Sequence, residues 1–242
     1  MTGRTSVAGC FIVLLVGLTS GCVWARRASV DAVDPELRAK GQQLARKDEP
    51  NGFSLGSYLV SAPQLAREGS EPDGDSSFSQ HGPPRPVVVH RLDLGVAVDD
   101  RQWAIRCKSE RRQPASMDYA AVLDENRDEI AVACDLGRGG EHQWAFVTEA
   151  ELSRNFAGTL SEQGSERSLT VEVVMYVERF GKLRRHLPDA VAQVRDGETI
   201  VAAMVLAKPE QAWVSRSSEP DVVDAAMSAM LALRFLPLGL EG

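Results

Sequence analysis

The segment from Pro220 to Arg234 most constrains how this chain can fold. Val222, Val223, Ala225, Ala226, Met227, Ala229, Met230, Leu231, Ala232 and Leu233 make it apolar on nearly all sides. Pro220 suits the first turn of a helix, where a missing N–H costs nothing. A surface helix keeps one polar face, and this one does not. It is therefore expected at the centre of a core, with other elements covering its whole circumference.

The covering elements read as strands. Val87–Leu92 reads as a first strand. Trp103, Ile105 and Cys107 alternate onto one face, as do Ile130, Val132, Cys134 and Leu136. Tyr119–Asp124 and Ala190–Asp196 each precede a polar turn and a further strand. The second turn is marked by Asp196-Gly197, a hairpin signature. The sequence also suggests an internal repeat with a period near 70 residues. Ile130 and Ile200 are in register, as are Trp144 and Trp213, and Thr148 and Ser218. A helix from about Glu149 to Ala157, ended by Gly158, would complete the first unit as the Pro220–Arg234 helix completes the second. The expected fold class is α+β: a mainly antiparallel sheet built from two similar ββββα units with a hydrophobic C-terminal helix. The sheet could lie open with both helices on one face. The plan also resembles, in architecture alone, the tubby-like and scramblase superfamily. That resemblance implies a closed barrel around the terminal helix. No motif residues match, so no function is carried over.

Upstream, Asp34-Pro35-Glu36 reads as a helix start, with Leu37 and Leu44 on one face and an end near Lys47. Phe53, Leu55, Tyr58, Leu59 and Val60 form a small apolar cluster. From Arg67 to Pro86, eleven residues are Gly, Pro or Ser, a composition that cannot bury enough apolar surface to offset its ordering entropy. The expected organisation is a leader over 1–21, an N-terminal segment with a short helix over 22–66, a flexible linker over 67–86 and a folded domain over 87–242.

The leader has a distinct signature. Arg4 precedes an apolar run from Val7 to Leu18, shorter than the roughly 20 residues that a lasting membrane span needs. Leu18-Thr19-Ser20-Gly21-Cys22 follows. This stretch resembles the lipobox of bacterial lipoproteins, with Thr19 where that family more often has Leu. The resemblance implies cleavage before Cys22 and acylation of Cys22, with palmitate among the attached chains. Val23 rather than Asp follows the cysteine. By the same resemblance the protein is expected on the outer membrane, facing the periplasm, in the bacterial cell envelope.

Cys10 falls within the leader. Cys107 and Cys134 would share an oxidising compartment, and both sit in strand-like runs pointing at a core. Two arrangements are open: a disulfide if the strands are neighbours, or two buried thiols that pack as small hydrophobes.

Chemistry-bearing motifs are sparse. His81, His90, His142 and His186 are scattered, so no metal site is expected. There is no G-x-S-x-G and no C-x-x-C, and Gly137-Arg138-Gly139-Gly140 lacks the Lys-Ser/Thr of a phosphate loop. No catalytic residue and no cofactor are assigned. The acidic run Asp124–Glu129 lacks the spacing of a calcium loop and reads as a solvated turn. The net charge of −7 argues against a nucleic-acid partner. The densest basic cluster contains Arg179, Lys182, Arg184 and Arg185. It reads first as a solvated loop and second as a contact for an anionic surface or partner. The function expected is a lipid-anchored, non-enzymatic binding or assembly-support module, meeting the membrane through its anchor and an envelope protein as partner. The alternative is a small-molecule or lipid-binding periplasmic module with its ligand between sheet and helices. An enzyme of unrecognised type is the weaker third reading.

Overall fold

The computed structural model describes residues 30–68, 87–112, 129–151, 156–175, 190–207 and 210–237. Thirteen strands and two helices lie within them, with residues 30–32 also helical. The strands are β1 (Gln42–Glu49), β2 (Gly52–Leu55), β3 (Tyr58–Ser61), β4 (Gln64–Glu68), β5 (Val87–Val98), β6 (Arg101–Arg112) and β7 (Glu129–Arg138). They continue with β8 (Glu141–Glu151), β9 (Phe156–Glu162), β10 (Ser168–Met175), β11 (Ala190–Asp196), β12 (Thr199–Val205) and β13 (Gln211–Val214). The helices are α1 (Pro35–Lys40) and α2 (Pro220–Phe235).

Every pairing is antiparallel, and the order runs β3-β2-β1-β13-β12-β11-β10-β9-β8-β7-β6-β5-β4. Tyr58, Leu59 and Val60 of β3 also pair with Val98, Ala97 and Val96 of β5. That contact closes twelve strands into a barrel and leaves β4 as an extra strand on the same edge of β5. The expected two-unit α+β fold with an open sheet is therefore incorrect. A barrel of twelve strands is wider than its own inward side chains can fill, since about eight strands suffice for that. α2 fills the lumen. Its residues Val222–Leu233 are all buried, an unbroken run covering every side of the helix.

The barrel wall alternates as a one-sided sheet should. Val96, Trp103, Ile105, Leu136, Trp144, Phe146, Leu160 and Val171 point at the helix. The outer face carries charge, including the ion pairs Arg106–Asp93, Lys108–Glu110 and Arg195–Glu172. This is the inverse of a membrane-spanning barrel, which turns its apolar band outward. No described helix is long and apolar enough to cross a membrane.

The apparent repeat fails on facing. A true repeat keeps each residue on the same side of the sheet, and a shift of one position reverses it. Ile130 and Trp144 face the lumen, whereas Ile200 and Trp213 pack on the outside of the wall. The expected helix over 149–157 is also absent from its described ends. Glu149–Glu151 belongs to β8, and Phe156 and Ala157 begin β9. Gly158 is no helix cap. It is an inward position where a Cβ would lie 2.6 Å from the Phe146 ring and 2.8 Å from Thr148 Cβ. The expected strand over Tyr119–Asp124 and the acidic turn lie outside the described residues, apart from Glu129 at the start of β7.

On the outer side, α1 supplies a second layer. Asp34 caps it, its Oδ1 accepting the Leu37 N–H at 2.8 Å, and Pro35 occupies the first turn. Leu37 and Val33 pack on Val191, Ala203, Val205 and Trp213, so β11, β12 and β13 are buried on both faces. The helix stops at Gly41 instead of running to Lys47. Residues 42–45 pair with β13, and Leu44 turns into the lumen. The expected apolar cluster over 53–60 forms β2 and β3. The folded unit thus takes in residues 42–61, upstream of the expected boundary at Val87. Arg67 and Glu68 belong to β4, and the rest of the expected linker lies outside the described residues.

Candidate functional site

Polar contacts tie α2 to the barrel wall at both of its ends. At the N-terminal end, Asp224 is 2% exposed and accepts a hydrogen bond from the Tyr58 hydroxyl at 2.9 Å. Arg101, just past the β5–β6 turn, forms an ion pair with its other oxygen at 3.2 Å. Around this point Arg138 meets Asp221 at 2.7 Å, and Arg167 meets both Glu219 at 2.7 Å and Asp196 at 2.8 Å. Arg101, Arg138 and Arg167 thus reach from three hairpins to acids at or just before the start of the helix. Burial raises the Asp224 carboxyl above its ordinary range, and the Tyr58 hydrogen bond and Arg101 pull the other way. Burial, then the Asp224 charge, drives the Tyr58 hydroxyl upward.

At the C-terminal end Glu210, fully buried, takes Arg46 on one oxygen and Arg234 on the other, both at 2.8 Å. The Arg46 guanidinium also stacks over Phe53, which contacts Phe235. Both clusters tie the helix to the wall. Their chemistry is that of a clamp, with each carboxylate used to hold an arginine or a tyrosine hydroxyl in place.

Concave features lie on the outside. A groove of about 440 Å³ runs over Leu59, Ser61, Gly95, Ala97 and Gln102, bordered by Pro50 and Asn51. Another of about 480 Å³ lies between α1 and the β11–β13 face, lined by acids and bases of both signs such as Glu36, Lys40, Glu198 and Arg216.

Cys107 and Cys134 are directly opposed on β6 and β7 and form a disulfide. Both are buried against the lumen. Cys22 lies outside the described residues, as do Arg179, Lys182, Arg184 and Arg185. His81 and His186 also lie outside them, and His142 is on β8. His90 is half-buried on β5, its Nδ1 enclosed without a hydrogen-bond partner. Burial lowers its pKa, and the charges of Arg67 and Arg111 lower it further. Sequence reasoning missed Tyr58, Arg101, Asp224 and Glu210. Asp224 was the one available signal, an acid inside an otherwise apolar helical stretch.

Twelve strands closed around their own C-terminal helix, with the polar contacts spent on holding that helix, are the setting for any function. No family model, curated protein or solved structure matches the chain.

Proposed function

We propose that this chain is a lipid-anchored protein of the bacterial cell envelope, held by acyl chains on Cys22. Its barrel acts as a non-enzymatic docking or assembly-support module that presents its outer surface to an envelope partner. The observation that carries this reading is the occupied lumen. A ligand between sheet and helix needs free space there, and Val222–Leu233 are buried on every side. The occupied lumen favours the docking module over the small-molecule or lipid-binding alternative. The charged outer wall supports a barrel standing off the membrane. A single acyl chain binds only marginally, so two or three chains on Cys22 give lasting attachment. Val23 after the cysteine favours the outer membrane, facing the periplasm. The basic run containing Arg179, Lys182, Arg184 and Arg185 is a second contact for an anionic surface.

The test is metabolic labelling with palmitate in the bacterial host. The wild-type chain should take up label and fractionate with membranes. Cys22→Ala should lose the label and move to the soluble fraction. A Cys22→Ala chain that stays equally membrane-bound overturns the anchor.

A further inference from the structure

β4 is the one strand of the sheet with a neighbour on a single side among the described residues. β3 leaves the edge of β5 after Ser61, whose hydroxyl takes over the local bonding: Oγ accepts the Gly95 N–H at 2.9 Å and donates to the Gly95 carbonyl at 3.1 Å. Pro63, which has no N–H, separates the two strands. Gln64–Glu68 then resume along β5, opposite residues 89–93. All five are exposed. Alternate N–H and C=O groups of such a strand point away from its neighbour and offer a ladder to another extended chain.

Three side chains beside that ladder share one face. Leu65 is opposite Leu92, and Arg67 is opposite His90. Directly opposed residues project to the same side, here the side on which Leu92 enters the core. Leu65 is 48% exposed, an apolar side chain beside buried ones and itself uncovered. Arg67 makes no ion pair among the described residues, although its neighbours Glu68 and Arg91 pair with each other on the opposite face. Arg67 and Arg111 both lie close enough to His90 for their charges to act on it. The face thus holds an uncovered apolar residue and, two positions along, a guanidinium with no ion pair among the described residues, beside the half-buried His90 ring.

We propose that the edge of β4 left without a neighbour among the described residues receives an extended segment of a partner protein by strand addition. That segment places an apolar side chain beside Leu65 and a carboxylate beside Arg67 and His90. Backbone bonds supply the general affinity. The Arg67 charge selects an acidic strand and rejects a basic one, and it also discourages indiscriminate edge-to-edge association. The inference rests on the proposed docking role, since it names the surface and the chemistry of what docks. It does not depend on the lipid anchor.

The test uses the purified full chain without membranes. Two fluorescent peptides of about six residues, a usual strand length, alternate threonine with one leucine and one charged residue two positions apart. One carries aspartate and the other lysine. Anisotropy should show the acidic peptide binding at least about tenfold more tightly, the scale of about 1.4 kcal/mol for one attraction replaced by a repulsion. Arg67→Glu, an exposed change whose fold is checked by its thermal melt, should reverse the preference. Ala66→Pro should weaken both peptides. Failure of the acidic peptide to bind, or a preference that Arg67→Glu leaves unchanged, overturns the proposal. A concentration-dependent dimer that Arg67→Glu abolishes also overturns it, by placing a second copy on the edge. Because no membrane is present, these outcomes are independent of the Cys22→Ala result.

Discussion

A carboxylate in the second turn of an enclosed helix faces opposed demands. Burial favours its protonated form, and its partners favour the charged one. For Asp224, burial is the larger effect and the folded-state pKa is raised. The folded protein then holds this proton more tightly than the unfolded chain. The stability this group contributes is present in full below its unfolded pKa, about 3.9, and is lost as pH rises through the higher folded value. Asp224→Asn removes that dependence. Urea unfolding of both proteins from acid to neutral pH should show wild type losing ground to the variant as pH rises. The opposite slope would mean that Tyr58 and Arg101 overcompensate for burial. Tyr58→Phe isolates one partner. It leaves a buried carboxylate oxygen short of a hydrogen bond and should cost about 1–3 kcal/mol at neutral pH. In the sequence, Asp224 was visible as a polar interruption. Tyr58 and Arg101 were not, because they are 166 and 123 positions away and meet Asp224 only after the barrel has closed.

At the scale of elements, the sequence was most legible where one pattern had one solution. The terminal helix is apolar all round, and only enclosure satisfies it. Strands such as β6 and β7 alternate cleanly, and their inward cysteines met once the strands were neighbours. Glu149–Ala157 reads as a helix only by its place in the supposed repeat and by Gly158 after it, while the wall that claims its described ends for β8 and β9 is not local information. The same holds for residues 42–47, where Leu37 and Leu44 are seven apart on a helix. The unpaired edge of β13 takes residues 42–45 as a strand instead. The seeming repeat came from matching residue types without their facing. The enclosed helix carries a sharp expectation. Met227 is fully buried among lumen side chains, so Met227→Asp places an unpartnered charge in the core. That costs several kcal/mol, against a total stability of about 5–15 kcal/mol. Circular dichroism should show loss of the cooperative melt. A variant melting within a few degrees of wild type would instead place the helix on an open surface.

The whole molecule depends on a closure that local pattern does not encode. From β5 to β13 the chain pairs each strand with the next, so that stretch alone could be an open sheet of nine neighbours. What joins its ends is the segment before residue 62. β1 pairs with β13, β2 with β1, and β3 returns to β5. That segment also delivers Arg46 to Glu210, Tyr58 to Asp224, and Leu44, Phe53, Leu55 and Val60 to the core. A fragment beginning at residue 87 keeps α2 but loses all of these. Its helix would have one side uncovered and two buried acids short of partners, and β13 and β5 would each present an unpaired edge. Each such defect costs on the order of 1–3 kcal/mol, so their sum is comparable to the whole stability of an ordinary domain, about 5–15 kcal/mol. A fragment beginning at residue 30 keeps them, together with the α1 layer over Trp213. The two fragments should therefore behave differently despite sharing every residue from 87 onward. The longer one should melt cooperatively, and the shorter should aggregate through its free edges or melt without a transition. Scanning calorimetry with size-exclusion chromatography makes the comparison. A shorter fragment that is monomeric and melts cooperatively would mean that the sheet and helix are stable as an open half, with closure by β1–β3 an addition to that half instead of the condition for folding.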